Sequence, residues 1–334
     1  KKTETIVCTM TVPEWYDEID SLKIACTVGG ETGMQNLLYT YRFKSSNQRP
    51  LVLTCEIYDV KCNPMPYLNV MVSGQITDGN DVTDLGSQQL QTDIAGVLEW
   101  KTEIPWDAKG KLEIRVDMSL QCWIKDAFSS RNDKTVYYLH EFAKSNDVPV
   151  SFATILEMDM ESSDFSGTDT VWLGRHINFG FLKTANPAFS YADKDTPDKV
   201  DYEDSNAAAL PAMSYIYNQV FSAIYTGVKV FDEKETLLET APILAVDCNY
   251  TGGSSHFTGN GSSPRIRLSP ADMVLTDHAR YDVLHECGHY FDWITAGGKF
   301  HCLPASASLV NVNHGGYMND TSSDSVLEGF ASWY

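Results

Sequence analysis

One pattern recurs through the first 125 residues and limits what the chain can fold into. Short runs of alternating or β-branched apolar residues are each followed by turn-forming residues. The breaks include Gly29-Gly30, Asp78-Gly79-Asn80 and Lys109-Gly110, which suit turns with positive φ. The runs cover residues 6–12, 37–43, 51–60, 68–76, 97–104 and 112–120. The pattern predicts an all-β sandwich over residues 1–125, without catalytic residues.

The pattern changes after this segment. Residues 126–147 are predicted to form a connector, with a helical stretch at 136–145. Residues 148–334 are predicted to form an α+β domain, in which the apolar spacing favours helices at 206–225 and from Asp277 to about residue 294. Strand-like runs occur at 148–158, 243–247 and 264–268, whereas the polar stretch before residue 204 has no clear period.

Composition excludes two classes of partner. Asp and Glu total 45 against 25 Lys and Arg, so the net charge of −20 would repel nucleic acid phosphates and anionic lipid surfaces. No run of 18 or more apolar residues is present, so no membrane-spanning segment is predicted. We therefore expect no nucleic acid partner and no membrane-spanning segment.

The cysteines and glycosylation motifs favour a secreted protein. The eight cysteines contain no Cys-x-x-Cys pair, which makes disulfides a better expectation than a zinc finger. Asn249, Asn260 and Asn319 each begin an Asn-x-Ser/Thr motif for N-glycosylation. A start at Lys1 rather than at Met fits either a processed secretory protein or a recombinant fragment, so by itself it does not decide between them.

The most chemically specific motif is His285-Glu286-Cys287-Gly288-His289 in the helix predicted from Asp277. A spacing of four residues places His285 and His289 one turn apart on one helix face, where two imidazoles can share a zinc ion. Glu286 lies beside that face and can accept a proton from a water that zinc has acidified. This arrangement predicts a catalytic zinc site with Glu286 as general base.

A catalytic zinc needs a third protein ligand and an open position. The run Glu328-Gly-Phe-Ala-Ser332, in a second predicted helix, resembles the third-ligand helix of gluzincin metallopeptidases of the aminopeptidase N type. This resemblance implies that Glu328 completes the site in a zincin-like catalytic domain. It also implies a C-terminal helical part, which we expect to be missing because the chain stops at Tyr334. The fold class is thus predicted as an all-β sandwich followed by an α+β zincin-like domain.

The chain departs from the gluzincin pattern in several respects. The upstream Gly-x-Met-Glu-Asn signature of aminopeptidases is absent, and Ser332 stands where the thermolysin branch has an Asp that supports a His ligand. His301 and His314 lie in predicted loops and are weaker candidates for the third ligand. His314 and Tyr317 are local candidates for oxyanion stabilisation.

Two further expectations concern the surroundings of the motif. Residues 263–268 are predicted to be the strand that pairs with an extended substrate, and Arg265 or Arg267 either binds a substrate carboxylate or is simply solvated. Cys287 and Cys302 are predicted to form a disulfide that fixes the following loop to the helix.

Together these observations predict a secreted zinc metallopeptidase that acts on protein or peptide substrates, with a glycan or surface ligand for the sandwich. Residues 72–78 and 92–97 of this sandwich resemble β-sandwich accessory modules similar to carboxypeptidase regulatory-like domains. Two alternatives remain: a catalytically silent binding or structural protein with a gluzincin-like domain, and a zinc hydrolase of non-peptide bonds. An intact Glu286 argues against the silent alternative, since binding alone requires no general base.

Overall fold

The structure is a computed structural model. It describes residues 22–30, 33–41, 48–123, 135–143, 147–160, 170–179, 182–185, 188–192, 197–201, 210–231, 241–260, 263–273, 275, 277–298 and 324–333. Only the backbone is described for residues 22–41, 182–201, 277–280 and 324–328, and for a few positions at the ends of other elements.

Strands dominate the described residues and occur along most of the chain. In the first part they are β1 (Leu22–Gly30), β2 (Gly33–Tyr41), β3 (Gln48–Tyr58), β4 (Leu68–Asp78), β5 (Asp81–Gln91), β6 (Val97–Pro105), β7 (Gly110–Trp123) and β8 (Thr135–Glu141). In the second part they are β9 (Ser151–Met160), β10 (Val171–Asn178), β11 (Leu182–Ala185), β12 (Ala188–Ala192), β13 (Pro197–Asp201), β14 (Leu244–Cys248), β15 (His256–Asn260) and β16 (Ser263–Arg267).

The largest sheet joins strands from both parts of the chain. Its main order is β11-β12-β13-β9-β7-β8-β14-β16-β15, with β4 on the other side of β7 and β5 beside β4. β14 runs parallel to both β8 and β16, whereas β15 is antiparallel to β16. Along β7 and β9 the antiparallel register runs from Gly110 opposite Met160 to Ser119 opposite Ser151.

Two smaller sheets complete the described β-structure. β3 pairs with β6 antiparallel and with β10 parallel, while β1 and β2 form a separate hairpin. The alternating burial along β3, β4 and β7 turns one face of each strand inward, as expected for a half-buried strand. Leu51, Val70 and Ile114 of these strands are fully buried in one hydrophobic cluster that also contains Phe291.

Three helices are described: α1 (Leu210–Phe231), α2 (Asp277–Thr295) and α3 (Asp324–Trp333). α1 packs against α2 and against β7 and β8, and α2 packs against β15, β16 and α3. Buried tyrosines fix α1 to the sheet, since Tyr137 on β8 donates a hydrogen bond to the carbonyl of Tyr217 (2.9 Å) and Tyr217 donates one to the carbonyl of Pro66 (2.7 Å).

Many predicted elements agree with the structure. The runs at 51–60, 68–76, 97–104 and 112–120 are β3, β4, β6 and β7. The predicted helices are α1 and α2, and the run at 243–247 is β14. The run at 37–43 falls partly on β2, and the run at 6–12 lies outside the described residues.

The predicted fold class, however, is wrong. We expected an all-β sandwich followed by an α+β zincin-like domain, but strands of residues 148–201 extend the same sheets: β9 lies along β7, and β10 lies beside β3. Over the described chain as a whole, strands outweigh helices, and the three described helices all follow residue 201. Periodicity gives the type of an element but not its partners, so it did not reveal that these strands pair across the supposed boundary.

The helix expected at 136–145 is also wrong, because residues 135–141 form β8. Six of its seven residues are buried, as in a strand covered on both faces. Such a strand shows no alternation of period two, so its sequence cannot be distinguished from that of a short buried helix.

Candidate metal centre

The two histidines of the motif converge on one face of α2. The ring centroids of His285 and His289 lie 4.8 Å apart, with the ring planes nearly perpendicular at 88°. His289 is 9% exposed and the intervening Glu286 is 7% exposed, whereas His285 is half-buried. The helical spacing therefore brings two imidazoles and a buried carboxylate into one small region.

The opposite side of α2 fixes this geometry. Val283, Cys287, Tyr290 and Phe291 are almost fully buried. These residues recur at the spacing of a helix face, which anchors α2 on the sheet. Burying a large apolar side chain contributes about 1.5–3 kcal/mol, so several of them hold the helix firmly in place.

α3 lies against the same region of α2. The hydroxyl of Ser332 is 3.4 Å from Nδ1 of His285, and the Tyr281 hydroxyl donates a hydrogen bond of 3.2 Å to Ser332 Oγ. Position 328 is on α3, one helical turn before Ser332, but the Glu328 side chain is outside the described residues. Ser332 therefore contacts His285 from the position at which an Asp was expected to support a His ligand.

The described side chains alone supply two of the expected ligands. Within them, no Cys, Asp, Glu or third His joins His285 and His289 in a group of three ligand atoms mutually within 4.8 Å. His301, His314 and Tyr317 lie outside the described residues. Two converging imidazoles are ligands that zinc prefers, so the described part of the site fits that ion.

A second cluster of charged side chains was not predicted from the sequence. Nδ1 of His140 is 3.3 Å from Oδ1 of the buried Asp247, and these groups lie near Asp147 in the one described group with metal-ligand spacing. Nη1 of Arg265 lies 2.5 Å from Asp247 Oδ1, and Nη2 contacts Asp147. The guanidinium supplies the positive charge that a metal would otherwise bring, so this is an ion-pair network.

These contacts correct the expectations for the arginines. Arg265 is 21% exposed and pairs with two carboxylates of the chain itself, and Arg267 lies over the Tyr250 ring at 5.1 Å with its Nε 3.5 Å from Asp247. β16 is also wrong as the substrate-pairing strand, because β14 and β15 occupy its two sides. At this end of the sheet the outermost described strand is β15.

The described cysteines form no disulfides. Cys55, Cys62, Cys122, Cys248 and Cys287 are in the thiol form, and all but Cys62 are buried. Cys302, the predicted disulfide partner of Cys287, lies outside the described residues. Burial, with a smaller effect from Glu286, raises the pKa of the Cys287 thiol well above its usual value.

One glycosylation motif has its acceptor amide engaged inside the fold. Nδ2 of Asn249 donates to both carboxylate oxygens of Glu141 at 3.1 Å, and Glu141 is 1% exposed. This contact competes with attachment of a glycan at Asn249. The Asn260 side chain and the whole of Asn319 are outside the described residues.

Comparison with known proteins gives little to add to this geometry. No protein-family model matches the chain, and no curated protein matches it. Among solved structures, it is similar to a 9R-lipoxygenase from Cyanothece PCC8801 at 15% identity and a TM-score of 0.23, over 59% of this chain and 27% of that one. The chain thus spans about a quarter of that lipoxygenase. A similarity this low leaves fold and function to be argued from the residues themselves.

The helices were also compared with the requirements of a membrane span. None in the described part of the chain is both long enough and apolar enough to cross a bilayer. The expectation of no membrane-spanning segment agrees with this finding.

Proposed function

We propose that the protein is a zinc-dependent hydrolase of peptide bonds, with the ion held by His285, His289 and Glu328. The observation that carries the proposal is the convergence of the His285 and His289 rings, 4.8 Å apart, beside the buried Glu286. The packing of α3 on α2, through which Ser332 reaches His285, supports Glu328 as the third ligand because position 328 lies one turn away.

The chemistry divides between the ion and the protein. Zinc, when bound, supplies a Lewis acid that polarises a carbonyl and lowers the pKa of water. Glu286 is the base: its carboxylate takes the proton of the attacking water and returns it to the leaving amine. The buried position of Glu286 limits competition from bulk water for that proton.

The proposal also covers substrate and location. The substrate is a protein or peptide, the strands before residue 125 bind a glycan or surface ligand, and the protein is secreted. The strongly acidic chain, with a net charge of −20, supports partners other than nucleic acid.

The test combines metal analysis with two substitutions in the motif. We expect one zinc per chain and cleavage of a peptide library that a chelator abolishes. Glu286→Gln should keep zinc and fold yet lower turnover by several orders of magnitude, because the amide cannot take a proton. His289→Ala should lose zinc and activity together.

Matched substitutions outside the site serve as controls. Glu99→Gln and His176→Ala change exposed side chains and should leave zinc content and turnover unchanged. Turnover at the parent rate in Glu286→Gln would refute the role of Glu286 as base. Stoichiometric zinc in His289→Ala would refute the ligand assignment, and zinc with cleavage only of esters or other non-peptide bonds would favour the alternative hydrolase.

A further inference from the structure

Tyr281 contacts His285 directly through its ring and indirectly through Ser332. Its ring is stacked on that of His285, with centroids 6.0 Å apart and planes inclined by 28°. Its hydroxyl reaches Ser332 Oγ at 3.2 Å, and Ser332 Oγ is in turn 3.4 Å from His285 Nδ1. Tyr281 and His285 are four residues apart on α2, so they lie on one face of that helix.

We propose that Tyr281 and Ser332 form a positioning pair that holds His285 with its proton on Nδ1, leaving Nε2 as the nitrogen that binds metal. This inference rests on the proposed zinc site. It assigns a role to two residues that the motif itself does not contain, one on each of the two packed helices.

The chemistry of the imidazole gives the pair its function. A neutral imidazole carries one N–H, and the hydrogen bond made by one nitrogen decides which of the two is free to bind a metal. A serine oxygen has two lone pairs, so Ser332 Oγ can accept from both the Tyr281 hydroxyl and the His285 Nδ1–H. In the proposed tautomer Ser332 Oγ accepts the His285 Nδ1–H, and the hydrogen bond from Tyr281 holds Ser332 in place.

Ser332 gives His285 a neutral hydrogen-bond partner in place of a charged carboxylate. A carboxylate partner would raise the basicity of the imidazole more strongly than a hydroxyl does. The ring of Tyr281 contributes to orientation instead, because its stacking limits rotation of the half-buried His285 ring. Since Ser332 is on α3 and the other two residues are on α2, ligand orientation depends on the docking of these helices.

The first test measures zinc affinity by competition with a chelator. Ser332→Ala should weaken zinc binding about tenfold or more, the usual effect of losing a partner of a ligating histidine. Tyr281→Phe keeps the stacked ring and should give a smaller loss. The double variant should be no weaker than Ser332→Ala, because the hydroxyl acts through Ser332. Ser222→Ala, an exposed serine on α1, is the control and should change nothing.

The second test requires no metal. In the metal-free chain, imidazole nitrogen NMR should show His285 mainly as the Nδ1–H tautomer, with Ser332→Ala shifting the proton towards Nε2. An Nε2–H tautomer in the parent chain, or no change on Ser332→Ala, would overturn the inference. If zinc binding proves independent of His289, the proposed zinc site fails. The NMR measurement on the metal-free chain then still shows whether Tyr281 and Ser332 hold the proton of His285 on Nδ1. Unchanged zinc affinity in Ser332→Ala and Tyr281→Phe, with loss in His289→Ala, would leave the zinc site standing and refute the pair.

Discussion

Burial keeps several ionisable side chains neutral in the interior. It raises the pKa of the Cys122 thiol to about 12 and raises the pKa values of Tyr137 and Tyr217 well above 10. These three residues lie together where α1 meets β7 and β8. The thiolate is the reactive form of cysteine, so the buried Cys122 thiol should be chemically inert in the folded state.

The raised pKa of Cys122 makes stability depend on alkaline pH. The folded chain keeps the thiol proton above pH 9, where an unfolded thiol loses it, so the folded state binds more protons than the unfolded state. This contribution is therefore complete below about pH 9 and is lost as the pH rises to about 12. Denaturant titrations over that range should show a falling free energy of unfolding, and Cys122→Ala should reduce the slope.

Thiol labelling tests the same environment residue by residue. At pH 8 we expect a maleimide to modify Cys62 in the folded chain, whereas Cys55, Cys122, Cys248 and Cys287 react only after unfolding. Mass spectrometry of the labelled peptides identifies each site. Unfolded but unreduced protein should also label at Cys287; labelling there only after reduction would mean that a disulfide to this residue does exist.

At the scale of elements, β15 lies unusually close to α2. A Cβ atom on Gly259 would come within 2.5 Å of Nε1 of Trp293, which is 1% exposed and cannot move away freely. Gly259→Ala should therefore destabilise the fold by about 1–3 kcal/mol, the usual cost of overpacking. Urea unfolding measures this loss.

Gly174 on β10 provides the matched control for that substitution. An added Cβ there meets no atom within 4 Å, so Gly174→Ala should be neutral or stabilising by up to about 1 kcal/mol. Equal effects at the two glycines would contradict the close approach of β15 to α2.

The sequence predicted elements well where a single local pattern decides them. The spacing of His285 and His289 fixes their proximity inside one helix, so that part of the site follows from sequence alone. The network of His140, Asp247 and Arg265 does not, because its members come from three different strands and His140 is 107 residues from Asp247. For the same reason the sequence could not place β10 beside β3, since the two strands are more than a hundred residues apart in the chain.

At the scale of the whole molecule, the strands cross the predicted domain boundaries. β9 and β14 belong to the predicted 148–334 domain, yet β9 lies along β7 and β14 lies along β8. One hydrophobic cluster extends from Leu51 on β3 to Ile294 on α2. The boundaries at 125 and 148 remain predictions, and the continuous sheet provides a way to test them.

Calorimetry should distinguish a shared core from two separate ones. Because the sheet and the hydrophobic cluster are continuous, we expect a single unfolding transition whose calorimetric and van't Hoff enthalpies agree. Gly259→Ala, placed at the far end of the sheet from β4 and β5, should lower the midpoint of that one transition. Amide exchange in β3 should then accelerate together with exchange in β14, since both strands open only on global unfolding. Two transitions, with Gly259→Ala shifting one of them and leaving exchange in β3 unchanged, would show instead that the chain unfolds as two domains despite the strand pairing between β7 and β9.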